Sequence, residues 1–483
     1  MSSDIIIHKI NESRIKIETN QGILREISER FTFDVPGAKF MPSYKSRQWD
    51  GKMRLVDSRN NTAFAGLHSA IEEFANERSY SYEAHEDLQC NDEISLTEAN
   101  EFISSLKLPV IPHEHQIRAF TLAVRNKRSV LISPTASGKS LIAYLIVRWY
   151  NVKTLIVVPT ISLVAQLAKD FISYGYKEPI HQVVSGVEKE TTGKITISTW
   201  QSMYNMPQEF FSDFQVVIGD EAHNFKAKSL TSIMGKMINT QYRFGMTGTL
   251  DGAQVHELVL LGLFGKIERI IQTSDLIDSG KLASIDIKII ILKHPKQNAS
   301  DRTYPEEIEY IISNSARNKF ITNLALSLKG NTLLLYTFVE KHGQILYDMI
   351  REKNDPTHSC YFVSGDVDGD ERENIRGLVE RSSDSIIVAS FGTFSTGINI
   401  KNLHNIIFAS PTKSRIRTLQ SIGRGLRVSD TKVSCKLFDI ADDLSLKKNK
   451  NFTLSHLIER VRMYNEESFP YQIYTIKLKD SDE

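Results

Sequence analysis

Apolar residues recur with two different periods along this chain, and the alternation of these periods predicts its main elements. After Leu108, short runs rich in β-branched residues alternate with longer amphipathic segments. Continuous apolar strands separated by helices are typical of parallel sheets that helices cover on both faces. We therefore predict two tandem α/β domains. The expected strands are Ser129–Ser133, Thr154–Pro159, Lys194–Thr199, Gln215–Gly219 and Tyr242–Met246 in the first domain, and Thr332–Phe338, Ser359–Ser364, Ser385–Ala389, Asn405–Ala409 and Val433–Asp439 in the second.

Breaks in this rhythm predict the domain boundaries. Residues 79–106 carry seven acidic and no basic side chains, and we interpret them as the connection from a small N-terminal α+β domain. Residues 270–300 interrupt the strand pattern and separate the two α/β domains. A basic cluster at Lys447, Lys448 and Lys450 opens a tail with a helical apolar period. We expect domains at residues 1–95, including the acidic linker, then 96–275, 276–445 and a short helical appendage at 446–483.

Composition narrows the class of protein. The 483 residues exceed what one hydrophobic core supports, and 41% hydrophobic with 24% charged residues is ordinary for a soluble globular protein. The three cysteines show neither a zinc spacing nor a disulfide framework. We see no secretory signal and no apolar run long enough to span a membrane, so we expect a cytoplasmic protein.

A phosphate-binding loop follows the first predicted strand of the α/β part. Residues 133–140, Ser-Pro-Thr-Ala-Ser-Gly-Lys-Ser, match the consensus GxxxxGK[ST] except that serine replaces the first glycine. Successive backbone N–H groups and a helix N-terminus can cradle phosphate oxygens. Lys139 can neutralise phosphate charge, and the Ser140 hydroxyl can hold Mg²⁺. We predict ATP and Mg²⁺ as cofactors, with nucleotide contacts from Thr135, Ser137, Gly138, Lys139 and Ser140.

An acidic tetrad, Asp-Glu-Ala-His at residues 220–223, follows the predicted strand Gln215–Gly219. A carboxylate at the end of that strand can hold Mg²⁺, directly or through water, and we assign this role to Asp220. Glu221 can orient and deprotonate the attacking water. Together with the loop, the tetrad predicts nucleotide hydrolysis.

These two motifs resemble those of superfamily 2 helicases of the DEAD/DEAH-like group, and further elements of that group follow in the expected order. The resemblance implies two RecA-like domains. His115-Gln116 resembles the adenine-reading element, which implies a nucleotide contact by Gln116. Elements resembling the group's nucleic-acid contacts contain Thr160, Thr199, Gln201, Ser202, Thr393 and Thr396.

The same resemblance implies residues that complete and couple the ATP site. Gly397, in the element that contains Thr393, implies a nucleotide contact. Residues 420–427 resemble the QxxGRxxR motif, in which Arg424 and Arg427 stand three apart on an expected helical turn. Planar guanidinium groups suit phosphate clamping, so one or both are expected to act as arginine fingers from the second domain. Coupling between hydrolysis and movement is implied for His223, Thr247, Thr249 and Gln420.

The N-terminal segment narrows the resemblance further. Residues 36–59 carry six basic and two acidic side chains, a local net charge of +4 in a chain whose net charge is +1, with aromatic residues interleaved. Basic side chains bind phosphates and aromatic rings stack on unpaired bases, so we predict nucleic-acid contacts from Lys45, Arg47, Trp49, Lys52 and Arg54. The alternative is that Trp49 packs a small core beside a turn. A Trp-Asp-Gly-Lys core ahead of a compact helicase resembles the phage UvsW-type recombination helicases, over nearly the whole chain.

That family acts on branched DNA. The resemblance implies an ATP-dependent DNA helicase or translocase that remodels forks, Holliday junctions and R-loops in recombination, repair and replication. Implied partners are branched or single-stranded DNA, RNA–DNA hybrids, and recombination or single-strand-binding proteins, with a monomeric enzyme. Three alternatives stay open: an RNA helicase, an ATP-switched clamp that anneals strands without stepping, and the motor subunit of a restriction enzyme. Phosphate-gripping residues do not reveal which sugar they accept.

Overall fold

A computed structural model describes residues 3–35, 37–88, 94–184, 193–295, 302–353, 359–397, 400–428, 432–445 and 450–479. The chain divides into two compact units, and the main boundary in the sequence lies between Ile270 and Ile271. This boundary coincides with the start of the region in which the strand pattern breaks.

The N-terminal part of the first unit is a small α+β fold. Its elements are β1 (Ile5–Lys9), β2 (Arg14–Thr19), α1 (Gln21–Arg30), β3 (Thr32–Asp34), α2 (Pro42–Lys45), β4 (Lys52–Arg54), β5 (Val56–Asp57), β6 (Thr62–Phe64), α3 (His68–Arg78) and β7 (Tyr82–Ala84). Within the described residues, five strands form a mixed sheet in the order β5-β6-β2-β1-β7, and β3 pairs with β4. Burial alternates along β1 and β2, so one face of this sheet carries the core.

The rest of the first unit is a parallel α/β domain. Its elements are α4 (Leu96–Ser105), α5 (Glu114–Asn126), β8 (Arg128–Ile132), α6 (Lys139–Tyr150), β9 (Thr154–Val158), α7 (Ile161–Ser173), β10 (Ile180–Val183), β11 (Ile195–Thr199), α8 (Trp200–Met203), β12 (Val216–Asp220), α9 (Lys228–Lys236), β13 (Tyr242–Thr247), α10 (Gln254–Phe264) and β14 (Lys266–Arg269). Among the described residues the sheet order is β10-β11-β9-β12-β13-β8-β14, with every pair parallel. The central strands β9 and β11 are buried at all positions, as expected for a sheet covered on both faces.

The acidic stretch 79–106 is only partly a connection. Its strand β7 pairs in parallel with β1 and so belongs to the N-terminal sheet. Its helix α4 packs on α5, where the rings of Phe102 and Phe120 stack with centroids 5.7 Å apart. The connection is therefore shorter than the charge pattern indicates. Two of its predicted acids, Asp92 and Glu93, and the side chain of Asp87 lie outside the described residues.

The N-terminal fold and the first α/β domain share one hydrophobic core. Buried Ile7 and Leu67 from the N-terminal fold belong to the same cluster as Leu260 and Phe264 of α10. The α/β domain therefore supplies part of the apolar surface against which the small N-terminal fold is buried.

The second unit is a second parallel α/β domain. Its elements are α11 (Thr273–Asp278), β15 (Ser284–Lys293), α12 (Tyr304–Ser313), α13 (Ser315–Ser327), β16 (Thr332–Tyr336), α14 (Ile345–Lys353), β17 (Ser359–Val363), α15 (Gly369–Arg381), β18 (Ser385–Ser390), α16 (Phe391–Gly397), β19 (Asn405–Phe408), α17 (Arg415–Gly425), β20 (Ser434–Asp443), α18 (Phe452–Glu466) and β21 (Tyr471–Lys477). In the described part of the chain its sheet order is β17-β18-β16-β19-β20-β15-β21, again all parallel.

The tail after residue 446 is more than a helical appendage. Helix α18 buries Leu457 and Tyr464 in the core of the second unit. Strand β21 then pairs in parallel with β15 and extends the sheet, an element that the helical prediction lacks. The predicted basic residues Lys447 and Lys448 lie outside the described residues.

The predicted fold class is confirmed, since two parallel sheets follow a small mixed one. All ten predicted strands are present, and each differs from its predicted range by one to four residues at one or both ends. Within the described residues, none of the helices is both long and apolar enough to cross a bilayer.

Candidate functional site

The predicted ATP-site and strand-contact residues of the first unit gather at one edge of its sheet. The loop 133–140 follows β8, Asp220 ends β12, and Thr247 ends β13. Thr160 and Thr199 follow or end the neighbouring strands β9 and β11. Because the five strands are adjacent and parallel, their carboxyl ends lie along the same edge. Ligands of open α/β sheets bind at this edge.

The serine that replaces the first glycine of the loop is part of its internal hydrogen bonding. Ser133 is fully buried, and its hydroxyl donates to Ser137 Oγ at 2.6 Å. Its backbone N–H donates to the Thr247 carbonyl at 2.9 Å, and its own carbonyl accepts from Lys139 Nζ at 3.2 Å. The departure from the consensus therefore adds a contact inside the loop.

Gly138 gives the loop its tight turn at the start of α6. It is the N-cap residue, with φ of +82°. A Cβ there would lie 2.1 Å from Gln116 Nε2, so the close approach of Gln116 requires glycine.

Gln116 supports the loop through its side-chain amide. Nε2 donates to the Ser137 carbonyl at 3.0 Å, and Oε1 accepts from the His113 N–H at 2.8 Å. The His115 ring also bonds the Ser137 carbonyl, at 2.9 Å. Both ends of the Gln116 amide are thus engaged with backbone. Its adenine contact stays a prediction, while its contact with the loop is observed.

The residues present fit a Mg²⁺–nucleotide. Hydroxyl oxygen from Ser140 and carboxylate oxygen from Asp220 are the hard donors that Mg²⁺ prefers. Burial and the adjacent Glu221 carboxylate raise the pKa of Asp220 to about 6. A carboxyl whose charge is disfavoured in this way is suited to meeting a cation.

The acidic tetrad links directly to the Thr247 segment. Glu221 stands in the left-handed region with φ of +48°, and its Oε2 is buried without a hydrogen bond, 3.4 Å from His223 Nδ1. His223 Nδ1 lies 2.9 Å from Thr247 Oγ1, which donates to the Thr249 carbonyl at 3.0 Å. Burial, with the charge of Lys226, lowers the pKa of His223 to about 4. The imidazole is therefore neutral near pH 7 and can exchange donor and acceptor roles with its neighbours.

A second link between the same two segments was missed by the sequence analysis. Lys226, three residues after His223, forms an ion pair with Asp251. Asp251 Oδ2 also lies 2.7 Å from His256 Nδ1 at the start of α10. Nothing in the residue types marks this trio, because the lysine and the aspartate are far apart in sequence.

The predicted strand contacts of the first unit lie at helix starts. Thr160 is the N-cap of α7, with Oγ1 3.1 Å from Ser162 Oγ. Thr199 is the N-cap of α8, with Oγ1 3.1 Å from Ser202 Oγ, and Gln201 is exposed. Hydroxyls and free N–H groups at a helix N-terminus suit phosphate.

In the second unit, Thr393 lies in the first turn of α16, which begins directly after β18. Its Oγ1 and N–H both bond Ser390 Oγ, at 2.8 and 3.0 Å. Of the companion residues in that element, Thr396 and Gly397 lie where the structure describes the backbone of α16 but not the surroundings of these residues. Phe338, expected as the last residue of the strand Thr332–Phe338, lies two residues beyond the end of β16 at Tyr336 and is 41% exposed.

The two predicted arginine fingers do not share a helical turn. Gln420 and Arg424 lie on α17, where the Arg424 guanidinium sits 5.3 Å from the centre of the Phe394 ring. Arg427 follows the C-cap residue Leu426 and is therefore outside the helix. Buried Lys432 donates to the Gly425 and Arg427 carbonyls and so fixes this helix end.

The basic segment of the N-terminal fold forms a surface cavity of about 700 Å³. It is lined by Lys39, Tyr44, Lys45, Arg47, Gln48, Trp49 and Asp50. Trp49 is half-buried, and its ring N–H donates to the Lys52 carbonyl at 2.8 Å. Trp49 therefore lines a surface cavity beside exposed Tyr44 and is not enclosed in a core.

Not every basic side chain in this segment is available to bind phosphate. Arg54 pairs with Asp50 at 2.5 Å, and this pairing lowers the pKa of Asp50 to about 2. Lys45, Arg47 and Lys52 are exposed. All four basic side chains of the predicted set are therefore exposed, and Arg54 differs from the other three by its ion pair with Asp50.

Comparisons with known proteins agree with this geometry. The family model for the N-terminal part of the DNA helicase UvsW matches residues 4–85. The type III restriction enzyme res subunit model matches residues 71–252, and the helicase conserved C-terminal domain matches residues 316–429.

Full-length relatives show the same. The ATP-dependent DNA helicase uvsW of Enterobacteria phage T4 is 34% identical, over 98% of this chain and 100% of the relative. The crystal structure of T4 UvsW matches with a TM-score of 0.53 at 32% identity, over 99% of this chain and 100% of that one. The DNA 3'-5' translocase XPB2 of Sulfurisphaera tokodaii is 26% identical, over 68% of this chain and 82% of its own. The chain belongs to the UvsW family of ATP-dependent DNA helicases.

Proposed function

We propose that this protein uses ATP hydrolysis to translocate on DNA and to remodel branched substrates such as forks, Holliday junctions and R-loops. The observation that carries the proposal is the convergence at one sheet edge. There the phosphate loop, the acidic tetrad and the helix starts at Thr160 and Thr199 lie on adjacent parallel strands. A site for nucleotide and a site for a strand thus share one rigid support.

The hydrolytic chemistry falls to a few side chains. The loop N–H groups and Lys139 bind the β- and γ-phosphates, while Ser140 and Asp220 hold Mg²⁺. An ion held by these two residues would neutralise charge that develops on the phosphate oxygens. Glu221 orients the attacking water and takes its proton. Its buried Oε2 lies 3.4 Å from His223 Nδ1 but accepts no hydrogen bond, which leaves it able to accept that proton.

The second domain completes the site. Arg424 and Arg427 act as fingers on the transferred phosphoryl group, a contribution of about 10³–10⁵ in rate where it has been measured. Support for this role is the motif QxxGRxxR and the fixing of the helix end by Lys432. ATP then favours the closed arrangement of the two domains, and hydrolysis favours the open one.

Coupling runs through the tetrad. Glu221, His223 and Thr247 form a continuous chain of contacts, and Lys226 with Asp251 ties the same segments at a second place. We propose that a movement of Glu221 on loss of the γ-phosphate is transmitted through these contacts to the segment Thr247–Asp251. We also propose that Gln420 and Thr249 take part in this coupling, because of the motifs in which they lie.

The N-terminal fold is proposed to hold the branch point. An unpaired base can stack beside Trp49 and Tyr44, and Lys45 and Arg47 can hold its phosphates. The shared core keeps this cavity fixed to the first motor domain. We propose further that the protein works as a monomer in the cytoplasm of a host cell, together with recombination or single-strand-binding proteins.

An RNA helicase and an annealing clamp are the competing functions. Comparing the ATPase rate with forked DNA, single-stranded DNA and single-stranded RNA at equal nucleotide concentration separates the first. We expect forked DNA to stimulate most. Equal or greater stimulation by RNA contradicts a DNA-specific enzyme, and strand displacement that vanishes when a trap strand blocks annealing favours the clamp.

A further inference from the structure

The hydroxyl of Ser140 has a partner outside the nucleotide-binding motifs. Ser140 Oγ lies 2.9 Å from the phenol oxygen of Tyr174. Tyr174 is the C-cap residue of α7, the helix whose N-cap is Thr160. The contact therefore joins the start of α6 to the far end of a different helix.

Packing fixes the Tyr174 ring. It meets Tyr144 of α6 edge-on with centroids 5.5 Å apart, and Tyr144 meets Phe171 in the same way at 5.4 Å. The Tyr144 hydroxyl accepts from Arg148 Nη1 at 2.7 Å, which holds that ring in turn. The phenol oxygen of Tyr174 is thus held in place before any ligand binds.

The chemistry of a serine ligand makes this contact directional. A hydroxyl has one proton and two lone pairs. When a lone pair faces a cation, the proton must point away from it and needs an acceptor. The Tyr174 oxygen stands at hydrogen-bond distance to accept it. A fixed acceptor removes the rotational freedom that Ser140 would otherwise lose on binding the ion.

We propose that Tyr174 is a positioning residue for Mg²⁺ binding, which orients the Ser140 hydroxyl by accepting its proton. The inference rests on the proposed ATPase function, because it takes Ser140 as a Mg²⁺ ligand. Tyr174 touches neither substrate nor ion in this role, and it acts only through Ser140.

The test is a Mg²⁺ titration of ADP binding to the Tyr174→Phe variant and to wild type. The fluorescence of a labelled ADP reports the binding. Phenylalanine keeps the ring that packs on Tyr144 and removes only the oxygen. We expect the Mg²⁺ concentration at half-saturation to rise about fivefold, the size of one hydrogen bond, with ADP affinity in EDTA unchanged. Tyr176→Phe is the matched control, a buried tyrosine two residues away, and it should leave the midpoint unchanged.

A double-mutant cycle keeps the result specific to Ser140. In a Ser140→Ala background, Tyr174→Phe should shift the Mg²⁺ midpoint no further, and this arm also controls for a general effect on folding. An unchanged midpoint in the single variant, or an equal shift in both backgrounds, overturns the proposal. Wild-type protein whose ADP binding does not respond to Mg²⁺ contradicts the proposed function instead.

Discussion

The serine at the first position of the phosphate loop is buried and hydrogen-bonded through both its side chain and its backbone. The consensus has glycine at this position, and the residue types alone do not reveal what the Ser133 hydroxyl contacts. The structure shows that its hydroxyl meets Ser137 Oγ. The loop is stabilised here by a contact that a glycine cannot make.

Restoring the consensus should therefore weaken this protein. Ser133→Gly removes the bond to Ser137 and adds backbone entropy to the unfolded chain, which together cost about 1–3 kcal/mol of unfolding free energy. Chemical denaturation measures this loss. Ser133→Ala, which keeps the Cβ, should lose only the hydrogen-bond part. A Ser133→Gly protein as stable as the wild type contradicts the account.

Glu221 combines a left-handed backbone conformation with a buried carboxylate oxygen, and both point to function. Its φ of +48° and its unpartnered Oε2 are costs that packing alone does not explain. The sequence predicts the role from the tetrad, but neither the strain nor the contact with His223 can be read from residue types.

Glu221→Gln should separate binding from hydrolysis. The amide keeps the shape of the side chain and cannot take a proton, so the ATPase kcat should fall at least about 100-fold while ATP binding persists. Single-turnover hydrolysis together with equilibrium binding measures both. Glu209→Gln, at an exposed position, is the control and should match wild type. Retention of kcat in Glu221→Gln would assign the base elsewhere.

At the scale of elements, the N-terminal fold is fastened to the first motor domain at two places. Ser13, in the β1–β2 turn, accepts from buried Arg243 of β13 at 2.8 Å. Gly66 lies against the backbone of α10, where an added Cβ would be 2.0 Å from the Leu261 carbonyl. The sequence places Arg243 in a strand, but it does not reveal that the guanidinium is buried among backbone carbonyls.

Gly66→Ala should disrupt the packing of the N-terminal fold against α10. The new methyl group meets backbone and not a flexible side chain, so we expect a loss of about 1–3 kcal/mol in unfolding free energy. Gly235→Ala is the matched control: it lies on α9 with nothing within 4 Å of the added Cβ, and alanine should stabilise the helix slightly. Thermal unfolding compares the two. Equal melting temperatures for the two variants would show that the junction accommodates the methyl group and would contradict the prediction.

The strands that could be predicted from the sequence are mostly apolar runs in the interior of the sheets, and such runs stand out from helices. The edge strand β17 is mostly half-buried and is still predicted from its run Cys-Tyr-Phe-Val. Strand β15 alternates buried and less buried residues, a signal present in the region interpreted as a break. Strand β21 is exposed at most positions because it lies at the sheet edge, so its apolar residues form no run.

For the whole molecule, a net charge of +1 conceals separate charged regions. Residues 411–436 carry seven basic side chains and one acidic, while residues 79–106 carry seven acidic ones. In the N-terminal segment the structure distinguishes bases that the sequence treats alike, because Arg54 is paired with Asp50. Location of charge could be predicted from the sequence, whereas pairing required the fold.

Salt dependence of DNA binding should follow this distinction. Replacing Lys45, Arg47 and Lys52 together by glutamine should weaken binding and reduce the slope of log K against log salt by up to about three. Arg54→Gln should change the slope less than a single glutamine substitution at Lys45, Arg47 or Lys52, because Asp50 already neutralises the charge of Arg54. Fluorescence anisotropy with a forked duplex at several salt concentrations gives the slopes. An unchanged slope in the triple variant places the DNA elsewhere.

The proposed function makes one claim about the whole molecule: ATP hydrolysis at Glu221 drives the remodelling of branched DNA. The most direct measurement is unwinding of a labelled replication fork by wild type and by Glu221→Gln, with ATP and a trap strand present. The account predicts ATP-dependent product from the wild-type protein and none from Glu221→Gln, although both bind the fork. Equal unwinding by the two proteins, or unwinding by the wild type without ATP, would contradict it.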